Sequence, residues 1–153
     1  MSFTIDNIRT LLIELNDAMI LEGAQPAELL ICGGAALALQ GLGTRVTRDI
    51  DVLGAWLADG MQVAAIGEFP TAFARAIERV ANAHPELAGM KPDWVNLGPK
   101  LIVEFGLPEG YASRVTAFRV GDRLTLHRLG RVDLIARKAI VEELGHEDLA
   151  YYL

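Results

Sequence analysis

The stretch Ile31-Cys-Gly-Gly-Ala-Ala-Leu-Ala-Leu-Gln-Gly-Leu-Gly-Thr-Arg-Val-Thr-Arg-Asp-Ile-Asp-Val-Leu53 decides the fold. An apolar run, Leu29 to Cys32, reads as a buried strand that ends in Gly33-Gly34. Two glycines there allow a tight turn and close approach of backbone to a ligand. Residues 35–42 read as a short helix, whose free N–H groups and dipole favour an anion at its start. A second apolar run follows, with Asp49 and Asp51 one residue apart. In a strand, side chains at i and i+2 share a face, so the two carboxylates point the same way and Ile50 and Val52 point to the core. Adjacent carboxylates repel, and a divalent cation offsets that. Mg²⁺ in particular binds through one or two carboxylates and substrate phosphates. A phosphate loop and a metal pair are two parts of one expected site.

These residues carry a resemblance. Cys32-Gly33-Gly34, a short helix and Asp49-Ile50-Asp51-Val52 resemble the signature of the nucleotidyltransferase superfamily. With Arg45 and Thr47 ahead of the aspartates, the chain is similar to the small bacterial branch related to abortive-infection toxins. Gly106 to Arg114 and Leu134-Ile-Ala-Arg-Lys138 look like the remainder of an uncharacterised family in that branch. The resemblance spans roughly residues 25–153.

It implies an α/β (α+β mixed) domain: a small mixed sheet flanked by helices, with the site at one sheet edge. It implies Mg²⁺ or Mn²⁺ held by Asp49 and Asp51, with a nucleoside triphosphate as substrate. Gly33 and Gly34 would face the phosphates. The acceptor would be a hydroxyl of RNA, protein or a small molecule, and a toxin–antitoxin partner is a further expectation. Thr47 suits either a phosphate or the turn into the strand. Arg45 suits either a phosphate or Asp49. Lys138 suits either the nucleotide or solvent. Active members use a third carboxylate, for which Asp93 in Pro-Asp-Trp-Val-Asn is the first candidate and Glu104 in Ile-Val-Glu-Phe the second. A non-catalytic nucleotide- or partner-binding module on the same fold is the alternative.

Composition sets the outer limits. The chain has 153 residues, 52% of them hydrophobic, and is read as one domain over 1–153. At this length about 68–70% of the unfolded surface is buried on folding. No apolar run nears the roughly 20 residues that span a bilayer. A single cysteine excludes an internal disulfide. With no leader pattern visible, the expectation is a cytoplasmic protein with no membrane contact. Cys32 itself reads as a packing residue. The net charge of −6 argues against broad charge-driven binding of long nucleic acid. His84, His127 and His146 lack metal-ligand spacing.

The remaining elements follow from periodicity. Residues 4–22 show helical spacing, with apolar residues at 5, 8, 11, 12, 15, 19 and 20. Residues 49–53 form the second strand. Residues 55–67, with their Gly and Asp content, suggest a loop with a short helical piece. A helix is expected from Pro70 to Ala83, and a strand over 91–96. The period does not separate helix from strand over 101–105. Strands over 113–120 and 123–129 form a hairpin around Gly121-Asp122. A helix over 132–144 closes at Gly145, and a last helix covers 146–153.

Overall fold

The computed structural model describes residues 5–33, 36, 49–85, 92–143 and 145. The expected helices over 35–42 and 146–153 lie outside the described residues, apart from Ala36, which is helical and fully buried.

Helix α1 spans Ile5–Leu21. Its buried residues are Ile8, Leu11, Leu12, Leu15, Ala18 and Met19, the stripe that a 3.6-residue period requires. Asn16 lies in the same stripe and is buried too. Strand β1, Ala27–Cys32, follows. Strand β2 is Ile50–Leu57 and β3 is Gln62–Ala64. Helix α2, Thr71–Ala83, starts after Pro70 and buries Phe73, Ala76, Ile77, Val80 and Ala81. Proline ahead of the first helical turn wastes no donor, since that turn's N–H groups lack helical partners. Then come β4, Val95–Asn96, and a 3-10 helix, Gly98–Phe105. A single helical turn, α3 (Tyr111–Arg114), leads into β5 (Thr116–Arg119) and β6 (Leu124–Arg128), and α4 (Arg131–Glu143) ends the described series.

Among the described residues six strands form one mixed sheet, in the order β3-β2-β1-β6-β5, with β4 also pairing with β2. Strand β1 runs antiparallel to β2 and parallel to β6. Strand β4 runs parallel to β2. Alternation in β1 divides the core. Leu29 and Ile31 face α1 and α2, together with Ile50, Val52, Leu124 and Leu126. Leu30 and Cys32 face the other way, with Leu53, Trp56, Ile102 and Leu134. Burying a side chain of this kind contributes about 1.5–3 kcal/mol. Helices therefore cover both faces, as an α+β domain requires. No helix among the described residues is long and apolar enough to cross a membrane.

Three expectations need correction. Residues 55–67 hold the end of β2 and the hairpin to β3, with no helix. The turn is closed by Met61 N–H donating to Ala58 O, with Met61 in the left-handed region at φ 45°. Residues 113 and 114 belong to the helical turn α3, and the strand starts only at Thr116. Asp93 lies in the turn before β4, which is just two residues long. The ambiguous 101–105 segment is part of the 3-10 helix, with Ile102 as its buried anchor.

Candidate site at the end of the central strand

The site is set by the pairing of β1 with β2. Cys32, the last residue of β1, lies directly opposite Asp51. Opposed residues of an antiparallel pair share a face, so Asp51 projects on the Leu30–Cys32 side. Ile50 and Val52 project into the core on the other side, as their spacing demands. Asp51 is 6% exposed, an unusual setting for a carboxylate. Asp49 precedes the first residue of the strand and is half-buried.

A bulge adjoins this position. Leu30 pairs with Gly54 and Ile31 with Val52, so Leu53 is an extra residue on β2. Such a bulge sharpens the local twist and re-aims neighbouring side chains. It keeps Gly54 and Asp51 on one face although they lie three residues apart.

Gly33 follows Cys32 at once and has φ 74°, a left-handed value that suits glycine. The chain thus leaves β1 in a turn at the level of Asp51. Gly34, Arg45 and Thr47 lie outside the described residues.

On its other side Asp51 meets β4. Asn96 is its register partner there, and Asn96 Nδ2 donates to Asp51 Oδ1 at 3.3 Å. The amide is oriented by a second bond, since Gly98 N–H donates to Asn96 Oδ1 at 2.9 Å. Ile50 N–H donates to Trp94 O at 2.7 Å and fixes the approach of β4. Trp94 is locked in turn, with Nε1 donating to Ile77 O of α2 at 2.9 Å. The amide of Asn96 therefore reaches Asp51 from a rigid support.

Burial pushes the Cys32 thiol well above its ordinary pKa, and the nearby Asp51 carboxylate pushes it further in the same direction. Cys32 is a fully buried neutral thiol, in line with its reading as a packing residue.

The remaining candidates lie on other elements. The residue of β4 beside Asp51 is Asn96, and Asp93 lies three residues earlier, in the turn that precedes the strand. Asp93 is exposed, and so is Glu104 on the 3-10 helix. Lys138 is exposed on α4, whose buried polar residues are Asp133 and Arg137. Asp133 accepts a two-pronged pair from Arg114, whose Nε lies 2.9 Å from Oδ2 and whose Nη2 lies 2.5 Å from Oδ1. That pair clamps α3 to the start of α4. Among the described residues no three His, Cys, Asp or Glu side chains form a metal-sized group.

The donor chemistry nonetheless fits a hard cation. Asp49 and Asp51 offer carboxylate oxygens, and Mg²⁺ takes one or two of these and completes its shell with water and phosphate. Sequence reading alone missed Asn96. Its signal was the alternation Val95-Asn96, which turns a polar side chain to the face opposite buried Val95.

The chain matches no known protein family, and comparison with characterised proteins and with solved structures yields no match either.

Proposed function

We propose that this chain binds a nucleoside triphosphate together with Mg²⁺ or Mn²⁺ and moves its nucleotidyl group to a hydroxyl of RNA, protein or a small molecule. The observation that carries the reading is the register of Asp51, directly across from Cys32 and level with the left-handed turn at Gly33. A buried carboxylate beside a glycine turn joins a metal ligand to a surface that backbone N–H groups can offer to phosphate. The cation would neutralise phosphate charge as it shifts in the reaction.

The chain's own residues divide the remaining work. Asp49 and Asp51 would hold the cation. Gly33 and Gly34 would present the main chain to the phosphates, and Arg45, Thr47 and Lys138 are candidates for further phosphate contacts. The acceptor oxygen would bond to the α-phosphorus while the bond to the β-bridging oxygen breaks and pyrophosphate leaves. The acceptor proton would pass to a base, for which Asp93 is the first candidate and Glu104 the second. Action within a toxin–antitoxin pair in the cytoplasm is part of the same proposal.

Asn96 favours a second reading, a binding module without transfer. A third carboxylate would most directly face the metal from the β4 position beside Asp51, and an amide stands there. An amide cannot take the acceptor's proton at neutral pH.

Calorimetric titration with ATP, CTP, GTP and UTP, with and without Mg²⁺, tests the common part. Metal-dependent binding that is lost in Asp49→Ala/Asp51→Ala is expected. Equal affinity without metal would remove the reading. Incorporation of radiolabelled nucleotide into cell extract then separates the two versions. If Asp93 is the base, Asp93→Asn abolishes transfer and leaves binding intact. Binding without transfer in the natural chain, with transfer appearing in Asn96→Asp, identifies the binding module.

A further inference from the structure

The net charge of −6 is unevenly spread along the chain. Residues 111–138 hold seven of its fourteen lysines and arginines and two of its twenty aspartates and glutamates. Both of those acids are taken up, because Asp122 pairs with Arg119 and Asp133 with Arg114. The segment includes β5 and β6, so the β5 edge of the sheet is basic within an acidic chain.

Helix α1 brings a further cation to this edge. The Arg9 guanidinium carbon lies 5.9 Å from the centre of the Phe118 ring on β5. Phe118 and its register partner Leu126 pack on the α1 side of the sheet. Arg128 lies two residues beyond Leu126, and its own register partner is Thr116. By alternation Arg128 and Thr116 share the face of Leu126 and Phe118. Arg9 and Arg128 therefore meet on one face. Burial lowers the pKa of the Arg128 guanidinium, and the charge of Arg9 lowers it further. Two like charges held together cost free energy, which an anion between them recovers. Of the described acidic side chains on α1, Glu14 and Glu22 meet His84 and Arg79 at α2. Asp17 lies eight residues along the helix from Arg9, a rise of about 12 Å.

We propose that Arg9, Arg128 and Thr116 together bind a phosphate group. The Phe118 ring steadies Arg9 by a cation–π contact and uses up none of its N–H donors. Two guanidinium groups and a hydroxyl can bond three phosphate oxygens, whereas a carboxylate offers two oxygens and a single charge. Strand β5 is an edge strand, and Arg9 and Thr116 are exposed, so a phosphate carried on a larger molecule can enter. Arg128 pairs with Ile31 of β1, and Asp51 projects from the opposite face of the sheet. The inference uses no residue of the Asp51 group and stands without the nucleotide reading.

Sodium phosphate and sodium acetate, at matched ionic strength and pH 8, are titrated into the ¹⁵N-labelled full chain. Phosphate is expected to shift the signals of Thr116, Phe118 and Arg128 saturably, and acetate to bind at least tenfold more weakly. Arg9→Gln and Thr116→Val should each weaken phosphate at least fivefold. Both positions are exposed, so the variants keep the fold, which an unchanged spectrum of the free protein verifies. A ten-nucleotide oligothymidylate identifies the source of the group. Tighter binding than phosphate, lost in Arg9→Gln, assigns it to a phosphodiester chain, and binding no tighter assigns it to a free phosphate. Equal binding of phosphate and acetate overturns the proposal, as does an unchanged phosphate affinity in Arg9→Gln. Saturable shifts confined to other residues overturn it too.

Discussion

Replacing Asn16 by alanine should destabilise the fold by about 2–4 kcal/mol, and the same change should make room for a side chain at Gly121. Asn16 Oδ1 accepts from Arg123 N–H at 2.8 Å and from Leu124 N–H at 3.0 Å. Those donors sit where the β5–β6 turn enters β6. Leu124 is 1% exposed, so its N–H, once unpaired, costs about 1–3 kcal/mol. Arg123 is half-buried and can recruit water, which limits its share to about 0.5–1.5 kcal/mol. Gly121 packs on the same carboxamide, and a Cβ placed there would lie 2.6 Å from Asn16 Nδ2 and 2.8 Å from Oδ1. Gly121→Ala alone should therefore cost about 1–3 kcal/mol through overpacking. In Asn16→Ala the obstacle is gone, so the double variant should be hardly less stable than Asn16→Ala alone. Urea unfolding followed by circular dichroism gives the four stabilities. Costs that add to within about 0.5 kcal/mol would refute the claim that the carboxamide fixes the turn by contact. So would a cost below about 0.5 kcal/mol for Asn16→Ala.

Other perturbations separate interactions that look alike. Arg114→Met should lower the melting temperature far more than Arg119→Met, because Asp133 is fully buried whereas Asp122 is 82% exposed; scanning calorimetry giving the reverse order would contradict the burial argument. Cys32 should resist Ellman's reagent at pH 8 in the native protein and react fully in denaturant; fast native labelling would contradict its burial. Its raised folded pKa also sets a pH dependence. The unfolded thiol releases its proton near pH 8.5 while the folded one keeps it, so stability falls as pH rises through that value. Cys32→Ala should flatten that fall in urea titrations above pH 8.5, and an unchanged slope would exclude the thiol as its source. Asp51→Asn should remove any stabilisation of the fold by Mn²⁺; a melting temperature that Mn²⁺ still raises in the variant would place the cation elsewhere.

Much of this was legible in the residues. The apolar stripe of α1 and the start of α2 after Pro70 follow from period and punctuation, and both stand within a residue of their expected bounds. Strand β1 and the placing of Asp51 beside its end follow from alternation. Failures came where tertiary contact overrides local pattern. Strand β2 runs on through Trp56 because that ring packs on Tyr111 and His127, which no local window contains. Ser113 and Arg114 alternate like strand residues, yet Arg114 is drawn into a helical turn by Asp133, nineteen residues on. Asn96 acquires its meaning through a two-residue strand whose partner is 45 residues away. Register likewise sets Asn96 beside Asp51, with Asp93 in the turn that precedes β4.

The place of β1 at the centre of the sheet has a consequence for synthesis. Its parallel neighbour β6 is brought to it across most of the chain: Glu28 meets His127 from 99 residues away, and Asn16 reaches Leu124 across 108. A ribosome delivers α1, β1 and the β2–β3 hairpin well before β6 exists. During that interval β1 offers an unpaired hydrogen-bonding edge lined by Leu29, Leu30 and Ile31. Such an edge is a template for strands of other chains. Slow decoding between residues 60 and 120 should therefore increase aggregation of the nascent chain, while faster delivery of β6 should suppress it. The long separation also places the chain among slow folders, because loop closure precedes the contacts that reward it.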